Sequence, residues 1–184
     1  MIYVVRHASV DAAGLCYGRH DVPVLVAHAE AGARVLAQLE GVTFARVYAS
    51  PSERTSGLAA YLATELGLPL RLDPRLFEMS FGEWEGRTYA ALERDDGDRF
   101  RAWMEDWRRA APPGGERLGE LRERVEAWWL EALALEGNTL AITHAGVVRA
   151  LRARARGLDF GDALAARVEH LAVETIDCER ASEA

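Results

Sequence analysis

At 184 residues the chain fits one domain of ordinary size and is long enough to build its own core, burying about 70% of its unfolded surface. Hydrophobic residues at 49% and charged residues at 28% are those of an ordinary soluble globule, and no apolar run reaches the roughly 18 residues of a membrane span. The net charge of −7 argues against general binding to nucleic acid or to membrane surfaces, so an anionic substrate would need a local basic pocket.

In chain order, Ile2-Tyr3-Val4-Val5 reads as a buried strand, residues 2–6, that delivers Arg6 and His7 at its C-terminal end. A strand buried on both faces is a continuous apolar run, and in open α/β sheets ligands sit beyond the carboxyl ends of such strands. Residues 8–26 carry no helical period and hold Gly14, Gly18, Asp21 and Pro23, so a loop is expected there. An Ala- and Leu-rich helix over 29–40 follows, with Gly41 past its end, then a short strand over 46–49. Ser50 or Ser52 is suited to cap a helix from about 52 to 66, which Gly67 and Pro69 end. Residues 70–72 suit an edge strand.

The second irregular stretch is expected over 73–97. From 98 to 110, Phe100, Trp103, Met104 and Trp107 recur at the spacing of one face of an amphipathic helix, which Pro112-Pro113-Gly114-Gly115 breaks. A long helix runs from 118 to about 135, and Thr139-Leu140-Ala141-Ile142-Thr143 forms a second buried strand that ends in His144. A helix over 146–156, a last strand over 171–176 and a polar, frayed tail over 177–184 complete the chain. Strands alternating with helices argue an α/β fold, three-layer, with a mostly parallel sheet and helices on both faces. Residues 88–115, rich in Trp and poor in strand formers, suit a small helical cap inserted over one sheet end, within a single domain spanning 1–184.

The two strand-end histidines suggest the chemistry. Neutral imidazole can attack phosphorus, and a covalent intermediate splits one barrier into two. Arginine offers a planar fork of donors that matches phosphate oxygens. Arg6 and His7 taken alone read better as a partly exposed strand-end pair. Arg54 lies near the first turn of the helix after strand 46–49, where the helix end itself favours anions, and alone it reads as a surface arginine. Glu78 sits among Phe77, Met79, Phe81 and Trp84, and an apolar setting raises a carboxyl pKa toward that of a proton donor at neutral pH. From spacing, Glu83 and Glu85 are equal candidates for that acid.

Four motifs in order resemble those of the histidine phosphatase superfamily, the fold of cofactor-dependent phosphoglycerate mutases. They are Val5-Arg6-His7-Ala8, Ser50-Pro51-Ser52-Glu53-Arg54-Thr55, Leu76-Phe77-Glu78 with Phe81-Gly82-Glu83-Trp84-Glu85-Gly86, and Thr143-His144-Ala145-Gly146-Val147. The resemblance implies His7 as the phosphorylated nucleophile and Glu78 as general acid, then base for water. It implies Arg6, Arg54 and His144 as holders of the phosphoryl oxygens, with no metal and no cofactor. Gly14-Leu15-Cys16-Tyr17-Gly18-Arg19-His20-Asp21-Val22-Pro23 and Pro113-Gly114-Gly115-Glu116 are similar to the α-ribazole phosphatase branch of cobalamin synthesis, which implies Tyr17 and Gly18 at the substrate rim. Ala8 stands where the family carries glycine, Ala12 and Ala13 occupy the neighbourhood of a family asparagine, and Arg117 stands where a serine often follows.

The implied activity is hydrolysis of a small phosphomonoester, with α-ribazole 5′-phosphate as one substrate. A flat aromatic aglycone would stack on Trp84, Trp103 or Trp107, although helical spacing suits Trp103 and Trp107 better to core packing. The same-fold alternative is a phosphoglycerate mutase, and the other a non-catalytic phosphate-binding regulatory module. Two cysteines, Cys16 and Cys178, form no disulfide framework and no metal spacing and fit a reducing compartment. A first strand entered at residue 2 leaves no room for a signal peptide, so a cytoplasmic location is expected. The oligomeric state is not legible.

Overall fold

In a computed structural model the chain is described over residues 1–177. Strands β1 (Ile2–Arg6), β2 (Arg46–Ala49), β3 (Leu70–Leu72), β4 (Thr139–Thr143) and β5 (Val173–Ile176) form one sheet in the order β3-β2-β4-β1-β5. The first four are parallel, and β5 runs antiparallel to β1 at the edge. Every residue of β4 is buried, as its continuous apolar run requires of a strand covered on both faces.

Alternation along the strands sends successive side chains to opposite faces. Val5, Val47, Leu140 and Ile142 pack against α1 (His28–Gln38) and α2 (Glu53–Leu66), with Val35, Leu58 and Leu62 opposite them. Ile2, Val4, Tyr48 and Ala141 face α4 (Leu118–Leu133) and α5 (Ala145–Arg156), meeting Leu121, Val125, Trp128, Val148 and Leu151. The result is the expected three-layer α/β arrangement. A third cluster of Cys16, Trp84 and Leu92 lies under α3 (Tyr89–Glu105), with Phe81, Phe100 and Trp103 against it.

Four expectations need correction. The segment 73–97 is not irregular throughout, because α3 starts at Tyr89: the Thr88 side chain caps it, accepting from the Ala91 N–H at 3.1 Å. It stops at Glu105, short of 110, and bends at Asp96, whose backbone is non-helical and whose carboxylate accepts from Trp84 Nε1 at 2.7 Å and from Arg99. Neither Ser50 nor Ser52 caps α2 with its side chain. A short helix, α6 (Phe160–Ala165), has no counterpart in the sequence reading; Asp159 caps it through the Gly161 N–H at 2.7 Å. The last strand begins at Val173 because Leu171 lies at φ 60°, a left-handed conformation that stops strand pairing. The tail beyond 177 and Cys178 lie outside the described residues, whereas Cys16 is a buried free thiol.

Candidate active site

Register builds the site. In the parallel pair β1·β4, Arg6 stands opposite Thr143, and the His7 N–H continues the ladder by donating to the Thr143 carbonyl at 3.0 Å. The residues that follow, His7 and His144, therefore emerge side by side at one sheet edge, with ring centroids 5.3 Å apart. Strand β2 continues in the same way, the Ser50 N–H donating to the Ile142 carbonyl at 3.1 Å. This puts the Ser50 hydroxyl 2.8 Å from Nε2 of His144. Ser50, suited to a cap by its sequence, is committed to holding an imidazole instead.

His7 is 2% exposed and His144 is fully buried. The His7 Nδ1 lies 2.6 Å from the Ala8 carbonyl oxygen, which can only accept, so Nδ1 carries the proton and Nε2 keeps its lone pair. Burial pushes the His7 pKa down to about 3; the Ala8 contact opposes that, and the charges of Arg54, Arg6 and His170 reinforce it. Burial also holds His144 well below the usual imidazole range, helped by Arg54. Both rings are neutral at physiological pH, the state in which imidazole is a nucleophile.

Arg6, Arg54 and Glu78 complete the edge. Arg6 donates through Nη1 to the Val168 carbonyl at 2.8 Å, and its Nε is buried without a partner. Arg54, on the first turn of α2, is 2% exposed. It donates to the His20 carbonyl and to Asp21 Oδ1, each at 3.0 Å, and to the Gly18 carbonyl, while its Nε is also unpartnered. Glu78 accepts from the Met79 N–H through Oε1 at 2.9 Å and from the Gly146 N–H through Oε2 at 3.0 Å. A side chain at Gly146 would place Cβ 2.2 Å from Glu78 Oε1, so only glycine admits the carboxylate this close to α5.

The segment carrying the acid is clamped from behind. Arg124, on α4, donates to the carbonyls of Arg75, Phe77 and Glu78 at 2.6, 2.7 and 3.1 Å. Glu116 holds the same guanidinium at 2.6 and 2.8 Å. The two other acidic candidates of that stretch face elsewhere. Glu85 accepts from the backbone of Arg19, His20 and Phe81, and Glu83 pairs with Arg99 on the surface.

Arg6, His7, Arg54, Glu78 and His144 all line one cavity of about 380 Å³. Tyr17 lines it too, with the Arg54 guanidinium 5.5 Å from its ring centroid. Gly18 stands one step behind: its carbonyl anchors Arg54, and a Cβ there would lie 1.9 Å from the Met79 carbonyl. Beyond Glu78 the wall turns apolar, with Met79, Phe81, Trp103, Trp107, Leu118 and Phe160. Trp84 is not part of that wall; it is fully buried beneath α3.

The sequence family profile described as "Histidine phosphatase superfamily (branch 1)" matches residues 2–183. The chain belongs to the histidine phosphatase superfamily. It is 31% identical over 161 residues to the adenosylcobalamin/α-ribazole phosphatase of Escherichia coli K12, a match covering 85% of this chain and 79% of the relative. A second relative of the same description, from Salmonella typhimurium, is 32% identical over 157 residues, covering 83% of this chain and 78% of the relative. The crystal structure of the α-ribazole phosphatase from Shigella flexneri superposes with a TM-score of 0.85 at 30% identity, covering 94% of this chain and 87% of that one.

Within this histidine phosphatase edge, three residues escaped the sequence reading. His170 packs its ring 5.3 Å from that of His7 and meets the His7 carbonyl through Nδ1 at 2.7 Å. Arg149 lines the cavity from α5. Arg124 clamps the acid segment. His170 sits in a stretch with no periodic signal. The two arginines read as surface positions of helices, because only the packing of α4 and α5 against the acid segment turns them inward. No helix of the described residues is long and apolar enough to cross a membrane.

Proposed function

We propose that the protein hydrolyses a small phosphomonoester through a phosphohistidine on His7, and that its substrate is α-ribazole 5′-phosphate. One observation carries the reading: His7, whose Nδ1 is committed to the Ala8 carbonyl so that Nε2 is free, lines one cavity with Arg6, Arg54 and His144, and among the described residues the Nε groups of both arginines and the Nδ1 of His144 are buried without partners. Two guanidinium groups beside a free imidazole nitrogen offer a phosphoryl group several charge-assisted donors at once. Preorganised cations at that point stabilise the charge of the transferring group.

The lone pair on His7 Nε2 attacks phosphorus. The bond from phosphorus to the ester oxygen breaks, and that oxygen takes the electron pair and a proton from the Glu78 carboxyl. In the second step the Glu78 carboxylate removes a proton from water, the water oxygen attacks phosphorus, and the phosphorus–nitrogen bond returns its pair to His7. Inorganic phosphate leaves and Glu78 is again protonated. Glu78 stands on the leaving-group side of the cavity, where the wall becomes apolar and suits an aglycone such as benzimidazole. The related adenosylcobalamin/α-ribazole phosphatases support the choice of substrate. A buried free thiol at Cys16 and a net charge of −7 fit a cytoplasmic enzyme of small molecules.

Acid quench with phosphate-labelled substrate tests the intermediate. Label trapped on the protein, and lost together with all turnover in His7→Ala, is the expected result. Full activity of His7→Ala would end the proposal. Isomerisation of phosphoglycerate without phosphate release would make the protein a mutase, and phosphate binding without trapped label a binding module.

A further inference from the structure

Among the described residues, Arg149 is a cation in the cavity wall without a partner of its own. Its Nε is buried and unpartnered, and it forms no ion pair among the described residues. Arg152, three residues on, shows the contrast. Its guanidinium is held by both Glu174 oxygens and by the Arg167 carbonyl. Ala145, Gly146 and Arg149 share the cavity face of α5, as residues three and four apart on a helix must. Gly146 holds the Glu78 carboxylate, and Glu78 is the carboxylate that acts most strongly on Arg149. Arg149 therefore stands beside the proton donor, on the side from which the leaving oxygen departs.

We infer that Arg149 binds the leaving group, donating to sugar oxygens a few bonds from the ester oxygen. The inference rests on the phosphatase reading and deepens it. Trp107, Leu118, Leu121 and Phe160 of the same wall offer no side-chain acceptor, and both Glu78 oxygens are engaged by the Met79 and Gly146 N–H groups, so a substrate oxygen is the acceptor the guanidinium lacks. A leaving group without oxygens would strip water from Arg149 and return nothing. A site built to donate to a substrate oxygen discriminates strongly against analogues that lack it. Arg149 thus selects sugar phosphates over aryl phosphates, while Arg6 and Arg54 treat them alike.

The test compares ribose 5-phosphate, which carries the sugar oxygens and no aromatic base, with phenyl phosphate, which carries a ring and no such oxygens. Arg149→Met should lower kcat/KM for ribose 5-phosphate by about ten- to hundredfold, the range for hydrogen bonds to a charged group. Phenyl phosphate, which lacks those oxygens, should lose clearly less. Arg149→Lys keeps the charge but loses the fork, and should give a smaller loss confined to the sugar phosphate; it also serves if the methionine variant fails to fold. Where turnover is slow, the inhibition constant of ribose 5-phosphate against phenyl phosphate gives the same ratio. Equal losses on both substrates, or none on either, overturn the inference. Wild-type enzyme that handles α-ribazole 5′-phosphate no better than ribose 5-phosphate would defeat the proposed substrate and leave the Arg149 ratio standing.

Discussion

The two ends of the cavity are made of different material. At the sheet edge, His7, Ser50 and His144 follow three adjacent parallel strands, and the backbone ladder itself runs into the site. Each functional side chain there is tied to backbone or to another buried polar group. The roof over the leaving-group side is carried by α3 and the turn after it. It contributes Trp103 and Trp107, which pack on other rings, together with the half-exposed Met104, and α3 bends at Asp96. Rings tile against one another there: Trp103 on Trp84 and Phe81, Trp107 on Phe160. Hydrogen bonds are directional and fix an angle, whereas apolar contacts accept many shapes. The polar edge is accordingly fixed mainly by directional bonds and the roof mainly by apolar packing.

Breaking the polar edge should have the larger consequences. Glu78→Gln keeps the shape and can still accept from Met79 and Gly146, but has no proton to give. For alkyl phosphates kcat should fall by roughly a hundredfold or more, within the range for a positioned acid. For p-nitrophenyl phosphate, whose leaving oxygen needs no proton, the loss should be far smaller. Steady-state kinetics over a series of leaving groups reads this directly, and equal slowing across the series would remove Glu78 from the role of acid.

Altering the roof should give a smaller effect that depends on substrate. Trp107 lies against Phe160, with its ring centroids 6.2 Å apart, and lines the cavity. Trp107→Ala should weaken an ester that carries an aromatic base by about fivefold in kcat/KM, the equivalent of one aromatic contact near 1 kcal/mol. Ribose 5-phosphate should be nearly unaffected. Comparable losses on both would show that the roof shapes the polar edge after all.

The mildest probe is pH. The folded pKa of His7 is about 3 and that of His144 is well below normal, against roughly 6.5 in an unfolded chain. Between those limits the unfolded chain takes up protons that the fold refuses, so stability falls as pH falls. The expected slope below about pH 6.5 is about 1.4 kcal/mol per pH unit for each such histidine, with no histidine slope above it. Thermal melts from pH 8 to pH 5 test the sign. A melting temperature that rises on acidification would mean the rings are not held neutral.

The ease of reading also differed between the ends. Residues 2–6 and 139–143 are apolar enough to be strands in any context, and each ends in a histidine. The resemblance carried by the four motifs implies a nucleophile, clamps and an acid without any coordinate. The choice of Glu78 over Glu83 and Glu85 came from resemblance alone; spacing left all three open. Coordinates give that choice a geometry, since Glu78 is the one of the three held at the Gly146 N–H and facing the cavity. The start of α3 was missed although Thr88 and the following alanines carry a cap and a helical composition.

Local chemistry was enough to write the order of strands and helices, the α/β class and the residues at the strand ends, because burial and backbone preference act over a few neighbouring positions. Folding alone decided that Ser50 would grip His144 rather than cap a helix, that Arg124 would clamp the segment of Glu78, and that Arg149 would line the cavity unpaired among the described residues. Each of those outcomes depends on which side chains meet across a distance of tens of residues in the chain. A guanidinium looks the same in the sequence whether water, a carbonyl or an absent substrate is its partner.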